Sequence, residues 1–288
     1  MAGAPRPISV VVPAYNEAGA IAAYLAELSR VLDARGAASE IVVVDDGSRD
    51  GTAGVLAGIG SVRTLTHERN RGYGEALKTG IQHAAYDEII ITDADGTYSP
   101  ADIPKILAEI DRADMVVGAR VGRGAKIPLA RRPAKWVLRA LANFLLETNI
   151  KDLNSGLRYF RRSQVLDLFP ILPSGFSFTT TVTLAFLSRG KSVVYVPIGY
   201  HRRHGTSKIR PIRDTLNFFA LVVKTILYFR PLRVFAPLSL AFLIAGAALL
   251  AFHLIAHHAI STLAILLGLT GVHLAAIGAI ADLIVNKP

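Results

Sequence analysis

Cysteine is absent from all 288 residues, which excludes disulfides and thiolate metal sites and is compatible with a cytoplasmic catalytic part. Charge is scarce as well. Asp, Glu, Lys and Arg make up 19% of the chain against 51% hydrophobic residues, with a mean hydropathy of +0.39. That balance is too apolar for an ordinary soluble enzyme. Acidic residues are the minority sign, 22 against 32 basic ones, for a net charge of +10. Such an excess suits nucleic acid, an anionic membrane or phosphorylated substrates. Helix-turn-helix, zinc-finger and RNA-binding signatures are all missing. The basic clusters at 120–139, 158–162 and 202–233 approach the apolar tail, so membrane and phosphate are favoured and a nucleic-acid partner is not expected. Residues Met1 to Pro7 lack the apolar core of a signal peptide and lead directly into a strand-like run.

The hydrophobic surplus sits after Val234. Val234 to Ile255 and Ile260 to Val285 each exceed the roughly 20 apolar residues that span a bilayer as a helix. Ala256-His257-His258-Ala259 is a short connection, so a transmembrane hairpin is expected over 234–288. Gly246, Gly268, Gly271 and Gly278 permit close helix approach. His253 and His273 are expected to face the helix pair. The connection holds no Lys or Arg, whereas basic residues crowd the approach to the first span and Lys287 follows the second. The positive-inside rule then places the large domain and both termini in the cytoplasm. Ile212 to Arg230 is amphipathic, with a narrow polar stripe at Arg213, Asn217, Lys224 and Tyr228. It is expected to lie in the membrane interface as a juxtamembrane helix over 211–233, core packing being the alternative. A helix over 135–147 divides between buried packing and the same interfacial role.

Residues 7–120 alternate between two patterns. Ile8 to Val12, Glu40 to Val44, Val62 to Thr66, Glu88 to Thr92 and Asp114 to Gly118 are short apolar runs bounded by turn residues. Helical patterns cover Ala18 to Leu32, Gly74 to Ala85 and Ile103 to Asp111. Alternation of this kind predicts an α/β fold, a mostly parallel sheet with helices on both faces. The region from 122 to 205 is less regular, with one further strand over Ser192 to Ile198. Ligands of such sheets gather at the carboxyl ends of the strands.

Chemistry-bearing residues stand at those ends. Glu88 to Thr92 is followed by Asp93-Ala94-Asp95, and strand alternation would point both carboxylates to one side. Two hard oxygen ligands there suit Mg²⁺ or Mn²⁺ on a diphosphate; a solvated Asp-Gly turn is the alternative. Pro13-Ala14-Tyr15-Asn16-Glu17 follows the first strand, offering a flat ring for a nucleobase and polar groups for a ribose or base edge, or else only a helix start. Asp45-Asp46-Gly47-Ser48 follows the second strand, as a nucleoside acceptor set or as a turn and cap. Asn70-Arg71-Gly72-Tyr73-Gly74 resembles a glycine-bearing loop before a helix, its alternative being simply helix entry and close backbone packing.

In order and spacing these motifs, with Asp152-Leu153-Asn154-Ser155-Gly156-Leu157-Arg158 and Arg202-Arg203-His204-Gly205-Thr206-Ser207-Lys208, resemble the inverting family-two glycosyltransferases. With the hairpin, the chain looks like the polyprenyl-phosphate glycosyltransferases, dolichyl-phosphate mannose synthases among them. The resemblance implies a GT-A-type, Rossmann-like catalytic domain over 1–210. It implies transfer of a hexose from a nucleotide sugar, GDP-mannose or a UDP-hexose, to a polyprenyl or dolichyl phosphate, by one displacement with inversion. On it, Pro13, Ala14, Tyr15, Glu17, Asp45 and Asp46 hold the nucleoside. Asp93 and Asp95, with Ala94 between them, hold the metal against the diphosphate. Arg120 and Arg131 meet phosphates, Arg202 and Lys208 close over the pyrophosphate, and Asp152 is either a catalytic base or a residue that orients Arg158.

A base is less necessary than usual, because a polyprenyl phosphate is already anionic at neutral pH. The chain departs from the mannose synthases at Gly96-Thr97-Tyr98, where they commonly continue with Leu-Gln. Two other classes resemble it less. A processive polysaccharide synthase would carry Gln-x-x-Arg-Trp, whereas Trp136, the sole tryptophan, follows Lys135. A sugar-nucleotide pyrophosphorylase would show a glycine-rich signature at the first strand, where Pro13 to Glu17 stands. A non-catalytic membrane-tethered nucleotide-binding module is the remaining alternative, and a homo-oligomer stays open.

Overall fold

The computed structural model describes residues 6–120, 150–175, 177–199, 220, 223–224 and 226–285. The five apolar runs before residue 121 are strands: β1 (Ile8–Ala14), β2 (Ser39–Asp45), β3 (Arg63–Thr66), β4 (Glu88–Ile91) and β5 (Met115–Arg120). Between them stand α1 (Ile21–Asp33), α2 (Thr52–Ala57), α3 (Tyr73–His83) and α4 (Ile103–Leu107), the last preceded by a 3₁₀ turn at Pro100–Asp102. Helix α1 begins three residues later than its apolar pattern, because Ala20 and Ile21 first donate back to the Glu17 carbonyl in a turn. Helix α4 stops four residues short of Asp111, its chain passing into further turns at Glu109 and Arg112.

Three elements beyond these carry no clear periodic signal: β6 (Arg158–Arg161), α5 (Arg162–Leu166) and α6 (Phe178–Ser188). Strand β7 (Val193–Ile198) follows. Helix α6, with the run Thr179-Thr180-Thr181-Val182-Thr183, is β-branched and favours strand by propensity. It is helical nonetheless, and buried along almost its whole length. Its hydroxyls find helical partners: Thr181 donates to the Ser177 carbonyl at 3.0 Å and Thr183 to that of Thr179 at 2.8 Å.

The seven strands form one sheet in the order β3-β2-β1-β4-β6-β5-β7. All pairs are parallel except those of β6, which runs against both β4 and β5. The sheet is therefore mixed but mostly parallel. Ile8, Val10 and Val12 pack with Ile21, Leu25 and Leu28 of α1 on one face. Val11 and Val44 meet α3 at Gly80 on the other. Both faces being covered, β1 and β2 read as continuous Val and Ile runs.

The polarity of the pairing gathers the candidate site loops. In register, Ala14 lies beside Asp45 and Val11 beside Ile91, so the carboxyl ends of β1, β2 and β4 share one edge. The chain leaves β1 toward β2 on one side and returns on the other side with β4. That reversal is the switch point at which open α/β sheets hold ligands.

A second compact unit contains α7 (Leu232–His257) and α8 (Thr262–Val285). Both helices are long and apolar enough to cross a membrane, over Leu232–Ala256 and Thr262–Val285. The connection is shifted from its expected place: His257 still belongs to α7, which ends at His258 in the left-handed region (φ 49°). Three of the four glycines meet the other helix closely. A Cβ at Gly246 would lie 2.9 Å from the Gly268 nitrogen, one at Gly271 2.7 Å from Leu243, and one at Gly278 2.6 Å from Phe235. Gly268 serves through its backbone, its own Cβ position being open. The Ser239 hydroxyl also donates to the Gly271 carbonyl at 2.8 Å. His253 is half-buried, but His273 is exposed, contrary to its expected place in the helix pair. The helices expected over 135–147 and 212–230 lie wholly or mostly outside the described residues.

Candidate active site

Strand β4 ends at Ile91, so Asp93 and Asp95 stand in the turn beyond it and strand alternation does not set their directions. Hydrogen bonds do. The Tyr73 hydroxyl, at the start of α3, donates to Asp93 Oδ1 at 2.8 Å. Thr97 donates to Asp95 Oδ1 through its hydroxyl at 2.6 Å and its backbone N–H at 3.1 Å. Thr97, at the position where the sequence departs from the mannose synthases, thus orients an acidic side chain. These are neutral donors, which direct a carboxylate without cancelling its charge. Desolvation and then the Asp93 charge push the Tyr73 pKa well above its ordinary value, so Tyr73 remains the donor at neutral pH.

Among the described residues no group of three or more Asp, Glu or His side chains is placed to hold a metal ion by itself. A pair of hard carboxylates suits a cation that takes its remaining ligands from water and a substrate diphosphate, as Mg²⁺ does.

The loops after β1 and β2 are stitched together. The N–H of Asn16 donates to Ser48 Oγ at 2.9 Å, that of Glu17 to Thr52 Oγ1 at 2.9 Å, and that of Arg49 to Asn16 Oδ1 at 2.8 Å. Asn16 adopts φ 57°, a left-handed conformation that asparagine tolerates. Tyr15, beside it, is 39% exposed, with its ring available for stacking, whereas Pro13 is half-buried and Ala14 buried.

Asp45 and Asp46 are buried. Asp45 accepts the Ser48 N–H at 3.0 Å. Asp46 accepts the N–H groups of Arg71 and Gly72, each at 2.8 Å, and lies 2.7 Å from His67 Nδ1. Its carboxylate thereby shapes the glycine loop. In that loop Gly72 has φ 101°, and a side chain at Gly74 would overlap the Pro173 carbonyl.

Asp152 and Arg120 form a bidentate pair: Nε and Nη2 of Arg120 reach the two carboxylate oxygens at 2.7 and 2.8 Å, and the Arg120 and Asn154 N–H groups add to them. Burial works to raise the Asp152 pKa, but the Arg120 contact and the N–H donors overcome it and hold it below the usual value. Arg158, fully buried, donates to the Ser155 carbonyl at 2.7 Å, the Leu153 carbonyl at 2.6 Å and Thr183 Oγ1, pinning the loop between Asp152 and β6. Arg131, Arg202 and Lys208 lie outside the described residues. Tyr73, Tyr98 and Gly156 are the site neighbours that sequence reasoning passed over, although all three stand inside stretches already singled out.

Residues 9–169 match the model of Glycosyl transferase family 2. The chain belongs to that family. Residues 230–286 match the GtrB C-terminal hairpin. This glycosyltransferase is 31% identical to a dolichyl-phosphate hexose transferase of Haloferax volcanii, over 76% of this chain and 94% of that one. It is 30% identical to an undecaprenyl-phosphate mannosyltransferase of Micrococcus luteus, over 70% of this chain and 87% of that one. The glucosyl-3-phosphoglycerate synthase of Mycobacterium tuberculosis, solved with Mn²⁺, UDP-glucose and phosphoglyceric acid, shares its fold. The TM-score is 0.60 at 22% identity, covering 77% of this chain and 80% of that one.

Proposed function

We propose that this glycosyltransferase moves a hexose from a nucleotide sugar, GDP-mannose or a UDP-hexose, to a polyprenyl or dolichyl-type phosphate at the cytoplasmic membrane face. The observation that carries the proposal is the placement of Asp93 and Asp95 at the switch point of a family-two domain, each oriented by neutral donors. The names of two relatives aligned over at least 70% of the chain, both polyprenyl-phosphate sugar transferases, support the acceptor class. On this proposal the catalytic domain spans 1–210, the interfacial segment 211–233 and the hairpin 234–288, with both termini cytoplasmic.

Asp93 and Asp95 would hold Mg²⁺ or Mn²⁺. Such a cation supplies Lewis-acid stabilisation of a departing nucleoside diphosphate. Tyr15 stacks on the base, Glu17 meets the ribose or base edge, and Asp45 and Asp46 hold the loops around the nucleoside. Arg131, Arg202 and Lys208 would bring the two anionic substrates together and offset the charge that develops on the leaving group. The acceptor phosphate attacks the anomeric carbon as an anion, from the face opposite the diphosphate. The product is an inverted glycosyl phosphate, and no covalent enzyme intermediate forms. No proton has to be removed in this step. Asp152, clamped by Arg120 and kept acidic, is then a positioning residue that holds Arg120 in place.

Incubation of the purified full-length protein with a donor panel (GDP-mannose, UDP-glucose, UDP-N-acetylglucosamine), one polyprenyl phosphate and Mg²⁺ or Mn²⁺ tests the proposal. A glycolipid formed from one donor and lost with EDTA is expected. Donor turnover indifferent to the lipid phosphate would overturn it.

A further inference from the structure

We infer that Tyr73 and Gly156 form a two-sided clamp that sets the orientation of Asp93 as a metal ligand; the inference rests on the metal–diphosphate role proposed above for Asp93 and Asp95. On one flank the Tyr73 hydroxyl donates to Asp93 Oδ1 at 2.8 Å. On the other stands Gly156. A Cβ placed there would lie 2.7 Å from Asp93 Cγ and 2.8 Å from Oδ1, and would overlap Oδ2. Any side chain at 156 would drive the carboxylate out of its place.

Both jaws are themselves held. The Gly156 N–H donates to the hydroxyl of Tyr98 at 2.7 Å, and Tyr98 is only 3% exposed. Tyr73 opens α3 directly after Arg71 and Gly72, whose N–H groups Asp46 accepts. The first turn of α3 is also fixed from outside, the Ser174 carbonyl accepting the N–H groups of Gly74 at 2.7 Å and Glu75 at 3.2 Å. Two segments far apart in sequence thus converge on one carboxylate. Asp46, at the end of β2, acts through the loop on Asp93, beyond the end of β4.

The donor type matters. A lysine or arginine in the place of Tyr73 would compete with a cation for Asp93, whereas a phenol hydroxyl directs one oxygen and brings no positive charge of its own. Outer partners of metal ligands act by fixing ligand orientation, and their loss typically weakens metal binding by about 10–100-fold. Tyr73 and Gly156 are positioning residues in this sense, and their effect should fall on the metal before it falls on the nucleotide.

The test uses full-length protein in detergent and Mn²⁺ as the probe, titrated by electron paramagnetic resonance in the presence of UDP or GDP, whichever the wild type binds. Tyr73→Phe, which removes only the hydroxyl, is expected to weaken Mn²⁺ by about 10–100-fold. Nucleoside diphosphate affinity in EDTA and the melting temperature should stay near wild type. Gly156→Ala approaches the same carboxylate from the opposite flank and is expected to show the same Mn²⁺ defect, so either variant decides if the other fails to fold. Wild-type Mn²⁺ affinity in a folded variant would overturn the clamp, as would an equal loss of nucleotide affinity in EDTA. A wild-type protein that binds UDP or GDP but no Mn²⁺ would instead remove the metal role of Asp93 and Asp95, and the clamp with it.

Discussion

Asp95 and Asp152 are both half-buried carboxylates. Asp95 accepts the hydroxyl and backbone N–H of Thr97, and Asp152 is gripped by the Arg120 guanidinium. Asp95→Asn keeps the size and the Thr97 bonds but removes the charge. It is expected to cut transfer by at least about 100-fold while leaving the melting temperature near wild type, and near-normal transfer rates would sink the metal assignment. Asp152→Asn should behave otherwise. Because its carboxyl is held below the usual range, Asp152 stays ionised between about pH 5 and 8 and contributes no acid limb to the rate there. The variant should lose about 1–3 kcal/mol of stability through the weakened Arg120 pair, with the shape of its pH–rate profile unchanged. An acid limb present in the wild type and lost in the variant would restore Asp152 as a base. Asp46 was legible as an important carboxylate at a strand end; that it shapes the glycine loop follows only from contacts with Arg71 and Gly72, some 25 residues away.

At the scale of elements, the strands before residue 121 were legible as short apolar runs bounded by turn residues, and α1, α3 and α4 by helical patterning, whereas α2, only six residues long, was not expected. Strand β6 and helix α6 were not: β6 is four residues with arginine at each end, and α6 is buried on every side, which erases its periodicity. The junction of β5 and β7 depends on Asp114, which accepts the Ser192 N–H and hydroxyl at 2.9 Å and the Gln164 amide at 2.9 Å, near Lys191. Burial would raise its pKa, but these donors bring it down to about 2. A depressed carboxylate stabilises the fold above its unfolded pKa of about 3.9 and loses that contribution as pH falls toward its folded value. The stability advantage of wild type over Asp114→Asn should therefore be about 1–2 kcal/mol above pH ~5 and shrink by pH ~3, as read by denaturant melts at a series of pH values. Gly80 of α3 leaves no room for a methyl against Val11 and Val44. Gly80→Ala should cost about 1–3 kcal/mol despite the better helix propensity of alanine, because a β-branched core residue cannot yield.

At the scale of the whole molecule, the two units divide the work proposed for the enzyme. The nucleotide-side residues come from loops of one sheet, and the apolar hairpin belongs to a separate compact unit. Deletion of the residues after Arg233 should raise the KM for a long-chain polyprenyl phosphate by at least about tenfold, because burial of each CH₂ is worth roughly 0.8 kcal/mol. Nucleotide affinity, measured by calorimetry, should stay within about twofold. Loss of nucleotide binding in a folded truncated protein would count against independent domains.

Alternation of apolar runs, carboxylates placed just past them and two long apolar stretches determined, from the sequence alone, an α/β fold followed by two apolar helices, and the edge of the sheet at which the candidate site residues gather. These are local signals, written within a few residues of the elements they specify. The reversed strand β6, the Asp152–Arg120 pair, the Asp46 contacts and the enclosure of Asp93 between Tyr73 and Gly156 were decided only by the tertiary structure. Each joins segments 20 to 83 residues apart. Which partner meets which carboxylate depends on the strand order and on the space a missing side chain leaves, and neither has a period that a sequence displays.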